Sequence, residues 1–100
     1  MPVNQAQLDD IITEAAKHLG PEVVHVAYQI RPDSTGERSI FFRVVLADSS
    51  IRSEMIGAVA RRVRTLLIDA VRPLEDWGLL PYVNFRSKSE QDLRPDPDWA

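Results

Sequence analysis

An eight-residue apolar run near the middle of the chain is the strongest constraint on the fold. Residues 40–47 read IFFRVVLA, and aromatic and β-branched residues of this kind favour a β-strand. Strand side chains alternate between two faces, so Phe41 and Val45 lie opposite to Phe42, and only Arg43 interrupts their side. A strand with one wet face alternates apolar and polar residues. The second face of this strand therefore needs a cover, supplied by the chain itself or by a partner.

Length and composition limit the classes of protein to consider. One hundred residues correspond to one domain with a single modest core. No run of about 18 apolar residues is present, and the N-terminus has no basic segment followed by an apolar one, so we expect neither a membrane span nor a secretory signal. The chain has no cysteine, which excludes disulfides and thiolate metal sites. The cytoplasm is the default expectation for its compartment.

Hydrophobic periodicity predicts five elements in the order αββαβ. Apolar residues at three- and four-residue spacing predict helices over residues 4–19 and 52–72. Alternating or continuous apolar runs predict strands over residues 23–31, 38–47 and 80–86. The fold class is therefore α+β, a two-layer αββαβ sandwich with two helices packed on one face of a three-stranded sheet.

The predicted domain covers residues 1–88, and the polar, proline-bearing residues 89–100 are predicted to form a flexible acidic tail. The first strand should turn Val24, Val26 and the residues that alternate with them towards the helices. The sequence leaves open whether the third strand lies beside the first or the second. It also leaves open whether the tail, which carries Trp99, docks on an apolar surface.

Two helices cover only one face of such a sheet, so the outer face is the candidate binding surface. This face is predicted to hold Ala27, Phe41, Arg43, Val45, Tyr82, Asn84 and Arg86. Its aromatic and arginine content favours a protein-interaction module that forms a homodimer by sheet stacking or joins a larger complex. Asn84 and Arg86 project together and are suited to a partner's backbone or carboxylate. The plainer interpretation is a face partly covered by the tail.

Single-stranded nucleic acid is an alternative partner, because aromatic rings flanked by arginines can stack with bases. The element order resembles the layout of KH-type RNA-binding domains, and an open sheet bearing aromatics resembles that of RNA-recognition-motif domains. The four glycines are isolated, however, so no Gly-x-x-Gly loop is present. The net charge of −3 disfavours phosphate binding, although residues 31–72 hold eight arginines against five acids. A third alternative is a regulatory subunit holding a small molecule between the sheet and the tail.

Other candidate features are weaker. Arg61, Arg62 and Arg64 form a basic cluster on the second helix, which suits phosphate or an acidic partner but equally a solvated helix face. Glu14 and His18 are four residues apart on one helix, and two ligands do not make a metal site. No Gly-x-Ser-x-Gly, P-loop or His-Glu-x-x-His motif occurs. We therefore expect no enzymatic activity, cofactor or metal.

Overall fold

A three-stranded mixed sheet organises the chain. The computed structural model describes residues 3–52 and 54–100 and forms a small α+β domain. The strands are β1 (Val23–Pro32), β2 (Arg38–Leu46) and β3 (Leu80–Ser87), in the spatial order β1-β2-β3. β1 and β2 pair antiparallel, and β3 pairs parallel to β2. The third strand thus lies beside the second, and β2 is the central strand.

Five helices and one 3₁₀ turn complete the described part of the chain. They are α1 (Gln5–Ala16), α2 (Asp48–Ile51), α3 (Ile56–Val71), α4 (Pro73–Trp77), α5 (Lys88–Leu93) and the turn Pro97–Trp99. The Asn4 side chain caps α1 by accepting from the Gln7 amide at 3.0 Å. A short helix, α2, precedes the second predicted helix, and the long helix α3 begins at Ile56, four residues later than predicted.

The end of α3 shows why a proline-containing stretch becomes two helices. Arg72 adopts a left-handed conformation with φ of 52°, and Pro73 then begins α4 because it cannot continue α3. The Trp77 indole donates to the Val71 carbonyl at 3.1 Å, and the Leu79 amide donates to the Pro73 carbonyl at 2.9 Å. The first bond satisfies a carbonyl at the end of α3, and the second satisfies a carbonyl in α4.

The core lies between the sheet and the helices α1 and α3. Its central strand contributes Ile40, Phe42, Val44 and Leu46, all fully buried. The helices and the connection into β3 supply Leu8, Ile12, Leu19, Val59, Val63, Leu67, Val71, Trp77 and Leu79. Each fully buried large apolar side chain contributes about 1.5–3 kcal/mol. The prediction that two long helices cover one face of the sheet is confirmed.

A β-bulge at the start of β1 corrects one face assignment. Val23 pairs with Leu46 and His25 with Val45, so Val24 is an extra residue in the ladder. As a result Val23 packs against the core, while Val24 is 46% exposed. The expectation that Val24 faces the helices is wrong, because the bulge breaks the alternation on which it rests.

The segment after β3 is folded, in place of the predicted flexible tail. The Ser87 side chain caps α5 by accepting from the Glu90 amide at 3.1 Å. The Asp96 carboxylate accepts from the Asp98 amide at 3.0 Å and starts the 3₁₀ turn. This turn lies against β1 and β2 on the outer face of the sheet. Polar composition predicted disorder here, whereas these local caps and the contacts of Trp99 favour a docked conformation.

Phe42 and Phe41 offer a matched pair for a stability test. Phe42→Ala removes a fully buried ring, and we expect it to lower the free energy of unfolding by about 3–5 kcal/mol. Phe41→Ala removes a partly exposed ring on the outer face, and we expect a loss of about 1 kcal/mol. Urea denaturation followed by circular dichroism measures both values. Equal losses would contradict the assignment of the core to the helix side of β2.

Candidate functional site

The strand register places the seven residues of the predicted interface on the outer face of the sheet. Ala27 and Asn84 both pair with Arg43, one from each neighbouring strand. The flanking rows hold the pairs Phe41–Tyr82 and Val45–Arg86. The three rows together form a surface across all three strands, on the side opposite to the helices.

The C-terminal segment divides this surface into two halves. Val45 is only 2% exposed, because Trp99 and Ala100 lie beside it. Tyr82, at the other end, is 39% exposed, and Phe41 beside it is partly exposed. We call the Phe41 end the open half and the Val45 end the covered half. Val45 therefore lies beneath the chain's own segment and is not accessible to a partner in this structure.

A stacked pair of aromatic rings forms the centre of the open half. The Phe41 and Tyr82 ring centroids lie 5.0 Å apart, and the ring planes differ by 12°. The Arg31 guanidinium lies 4.8 Å from the Phe41 centroid and the Arg43 guanidinium 5.3 Å from it. Each contact has the geometry of a cation–π interaction. The Phe41 ring is therefore contacted by Arg31 of β1, by Arg43 of its own strand and by Tyr82 of β3.

Arg31 belongs to the site but was not among the predicted residues. Phe41 pairs with Gln29 of β1, and Arg31 is the next β1 residue on the same face. Diagonal neighbours of this kind lie within reach of long side chains. The alternation of β1 indicates that Arg31 lies on the outer face. Only the strand register shows that it lies next to Phe41.

Asp33, in the turn between β1 and β2, connects the turn to the aromatic pair. The Tyr82 hydroxyl donates to Asp33 Oδ2 at 2.7 Å, while Asp33 Oδ1 accepts from the Thr35 amide at 2.8 Å. Hydrogen bonds from the Thr35 hydroxyl first, and then from Tyr82, lower the pKa of Asp33 from 3.8 to about 2. The same carboxylate raises the pKa of Tyr82. The turn and the rings enclose a shallow concavity of about 470 Å³, lined by Arg31, Pro32, Asp33, Ser34, Phe41 and Tyr82.

Arg86 serves the covered half rather than an external partner. Its guanidinium donates to Gln91 Oε1 at 2.6 Å and to the Arg94 carbonyl at 3.1 Å. It also lies 5.7 Å from the Trp99 ring centroid, and the Arg43 guanidinium lies 5.6 Å from that centroid. The Arg86 side chain is 11% exposed. In this structure it does not act with Asn84 on a free surface, because the C-terminal segment occupies it.

The basic cluster on α3 is not a single surface patch. Arg62 donates to the Leu19 carbonyl at 2.9 Å and to Glu22 Oε1 at 2.7 Å, which ties α3 to the connection between α1 and β1. The hydrogen bond from Arg62 to the Glu22 carboxylate lowers the pKa of Glu22. Arg61 and Arg64 remain exposed. The contacts of Arg62 thus have a structural role.

Three further observations concern metal-binding groups, the predicted Glu14–His18 pair and membrane-spanning helices. Among residues 3–52 and 54–100, no group of three or more His, Cys, Asp or Glu side chains is placed to hold a metal ion. His18 lies two residues beyond the end of α1, and its Nε2 is 3.6 Å from Glu14 Oε1, with both side chains exposed. None of the described helices is long and apolar enough to span a membrane.

Comparison with models of known families, with curated proteins and with solved structures finds no match for this chain. The geometry of the outer sheet face therefore carries the functional argument.

The Tyr82–Asp33 hydrogen bond can be tested by carboxyl NMR titration. Because the pKa of Asp33 in the folded protein is about 2 and its ordinary value is 3.8, its contribution to stability is complete above about pH 4 and is lost as the pH falls towards 2. We expect Tyr82→Phe to raise the pKa of Asp33 by removing one donor. Tyr28→Phe, which removes a different tyrosine–aspartate bond, is the control and should leave it unchanged. An unchanged pKa in Tyr82→Phe would contradict the contact.

Proposed function

We propose that this protein is an interaction module that forms a homodimer through the open half of its outer sheet face. The stacked Phe41–Tyr82 pair is the observation that carries the proposal. These rings are partly exposed, yet they are fixed by Arg31, Arg43 and Asp33 rather than free to move. A surface that is already fixed loses little conformational entropy when it binds.

The residue types of the open half match those that contribute most to protein interfaces. Tyrosine and arginine are enriched among the residues whose truncation weakens association, and phenylalanine is enriched in interface cores. Close to them, Gln29 Oε1 and Arg43 Nε are buried without a hydrogen-bond partner among residues 3–52 and 54–100. Buried polar atoms are normally paired, so a small rearrangement on binding that pairs them would add to the affinity.

The distribution of charge supports a second copy as the partner. The open half is basic on balance, with Arg31 and Arg43 against Asp33. Residues 88–100 are acidic on balance, with Glu90, Asp92, Asp96 and Asp98 against Lys88 and Arg94. In a two-fold dimer each copy presents the same surface, and an antiparallel arrangement sets the basic half of one copy against the acidic segment of the other. Such complementarity favours this orientation over one that places arginine against arginine.

Sedimentation velocity tests the homodimer with one variant and one control. At about 100 μM, where a dimer with micromolar Kd is almost fully formed, we expect the wild-type protein to be dimeric. Phe41→Asp places a charge at the centre of the proposed interface and should yield a folded monomer. The control is Leu74→Asp, which changes an apolar residue that is 54% exposed on α4, and it should remain dimeric.

A strictly monomeric wild-type protein at this concentration would contradict the proposal. A Phe41→Asp variant that stays dimeric would place the interface elsewhere. Circular dichroism of both variants establishes that their folds are unchanged.

Single-stranded nucleic acid is the second candidate. It is favoured by the exposure of Tyr82 next to two guanidinium groups. The stacking of Phe41 on Tyr82 and the approach of Arg31 from the opposite strand weigh against it, because they occupy ring surface that bases would use.

Fluorescence anisotropy with labelled mixed-sequence RNA and DNA oligonucleotides tests this second candidate. Binding through this face should weaken as salt is raised, and Tyr82→Ala should reduce it. No binding at low salt, or binding that Tyr82→Ala leaves unchanged, would rule out the open half as a nucleic-acid surface.

A further inference from the structure

The covered half of the outer face carries a docked part of the chain's own C-terminal segment. Its central residue is Trp99, whose ring lies within cation–π distance of both Arg43 and Arg86. Trp99 and Ala100 form one wall of a recess that is also lined by Val24, His25, Val45, Lys88 and Gln91. We call the docked segment the occupant of the covered half.

Side chains, rather than strand pairing, hold the occupant. Arg86 donates to the Arg94 carbonyl at 3.1 Å, and Gln91 Nε2 donates to the Asp96 carbonyl at 3.0 Å. Residues 95–100 contain two aspartates and no basic residue, and they lie on a surface that presents two arginines. The recognition therefore depends on an indole within cation–π distance of two guanidinium groups and on the charge of the residues beside that indole. Another segment with the same chemistry can satisfy these requirements.

We propose that the covered half is a binding site for an acidic, tryptophan-bearing segment of a partner protein, and that the chain's own residues 95–100 occupy it until that partner binds. The site is separate from the aromatic pair of the open half, and the proposal does not depend on the homodimer. The partner segment and the chain's own segment compete for one surface. The docked segment therefore has the chemistry expected of the partner's segment, and it competes with that segment within the same chain.

The geometry of the chain favours a partner protein over a second copy as the source of the competing segment. The connection from Leu93 of α5 to Pro97 spans four residue steps, which extend over at most about 14 Å. This short connection keeps the segment near its own sheet. A short tether also sets an effective concentration in the millimolar range, so a segment that stays docked must have an intrinsic Kd below about 1 mM.

The test uses the full-length chain with Trp99→Ala, which removes the indole from the site, and a fluorescent peptide. The probe is residues 94–100 (RPDPDWA), with an acetylated N-terminus and an amidated C-terminus. We expect Trp99→Ala to bind the probe with a Kd below about 1 mM. The wild-type protein should bind it more weakly, because its own segment lowers the competent fraction. At an effective concentration of about 1 mM, the loss is about twofold for a Kd of about 1 mM and about tenfold for a Kd of about 0.1 mM. Added salt should weaken binding.

Three controls identify the site. A probe with alanine in place of tryptophan should not bind Trp99→Ala. Adding Arg43→Gln to Trp99→Ala should weaken binding of the original probe at least about tenfold, because one of the two cations is removed. Adding Leu74→Asp, on α4, should have no effect.

Three results would overturn the proposal. The first is no binding of the probe to folded Trp99→Ala up to about 2 mM, twice the limit set by the tether. The second is equal binding to the wild-type protein and Trp99→Ala, which would place the probe elsewhere. The third is unfolding of Trp99→Ala in circular dichroism, which would make Trp99 a core residue rather than an exchangeable occupant.

Discussion

The central position of β2 is the constraint on which the rest of the structure depends. A central strand forms backbone hydrogen bonds on both edges, and Phe42 and Val44 of this strand are fully buried against the helices. Its outer side chains are also apolar, so that face must be covered as well. The chain covers one half of this outer face more completely than the other. Trp99 and α5 cover Val45, while Phe41 is left to stack with Tyr82 and remains partly exposed.

Arginine side chains connect the two halves of the outer face. Arg43 lies 5.3 Å from the Phe41 centroid and 5.6 Å from the Trp99 centroid, and thus has an aromatic ring in each half as its neighbour. Arg86 also lies beside the Trp99 ring, 5.7 Å from its centroid. A planar guanidinium can stack on a ring while it still donates hydrogen bonds, which a lysine ammonium cannot do. The arginines of the outer face therefore contact the aromatic residues of the same chain.

Sequence reasoning was most successful where one local rule determined the answer. Apolar spacing located α1, α3 and the three strands, and Pro73 predicted the break between α3 and α4. Reasoning from composition failed after β3, because a polar, proline-bearing stretch predicts disorder without regard to individual caps and contacts. It also misplaced Val24, since a bulge inserts one residue into a pattern that is read two residues at a time.

The amino-acid sequence by itself determined the α+β class, the helix-facing core and the strand faces on which the candidate residues lie, because alternation and helical periodicity are local properties of the chain. The tertiary structure alone decided the place of β3 beside β2, the burial of Val45 and the cation–π contact of Arg31 with Phe41. These features depend on contacts between residues far apart in sequence, whose free energies no local pattern records. The apolar outer face of β2 was visible in the sequence, but its division between Trp99 and an open aromatic pair required the fold.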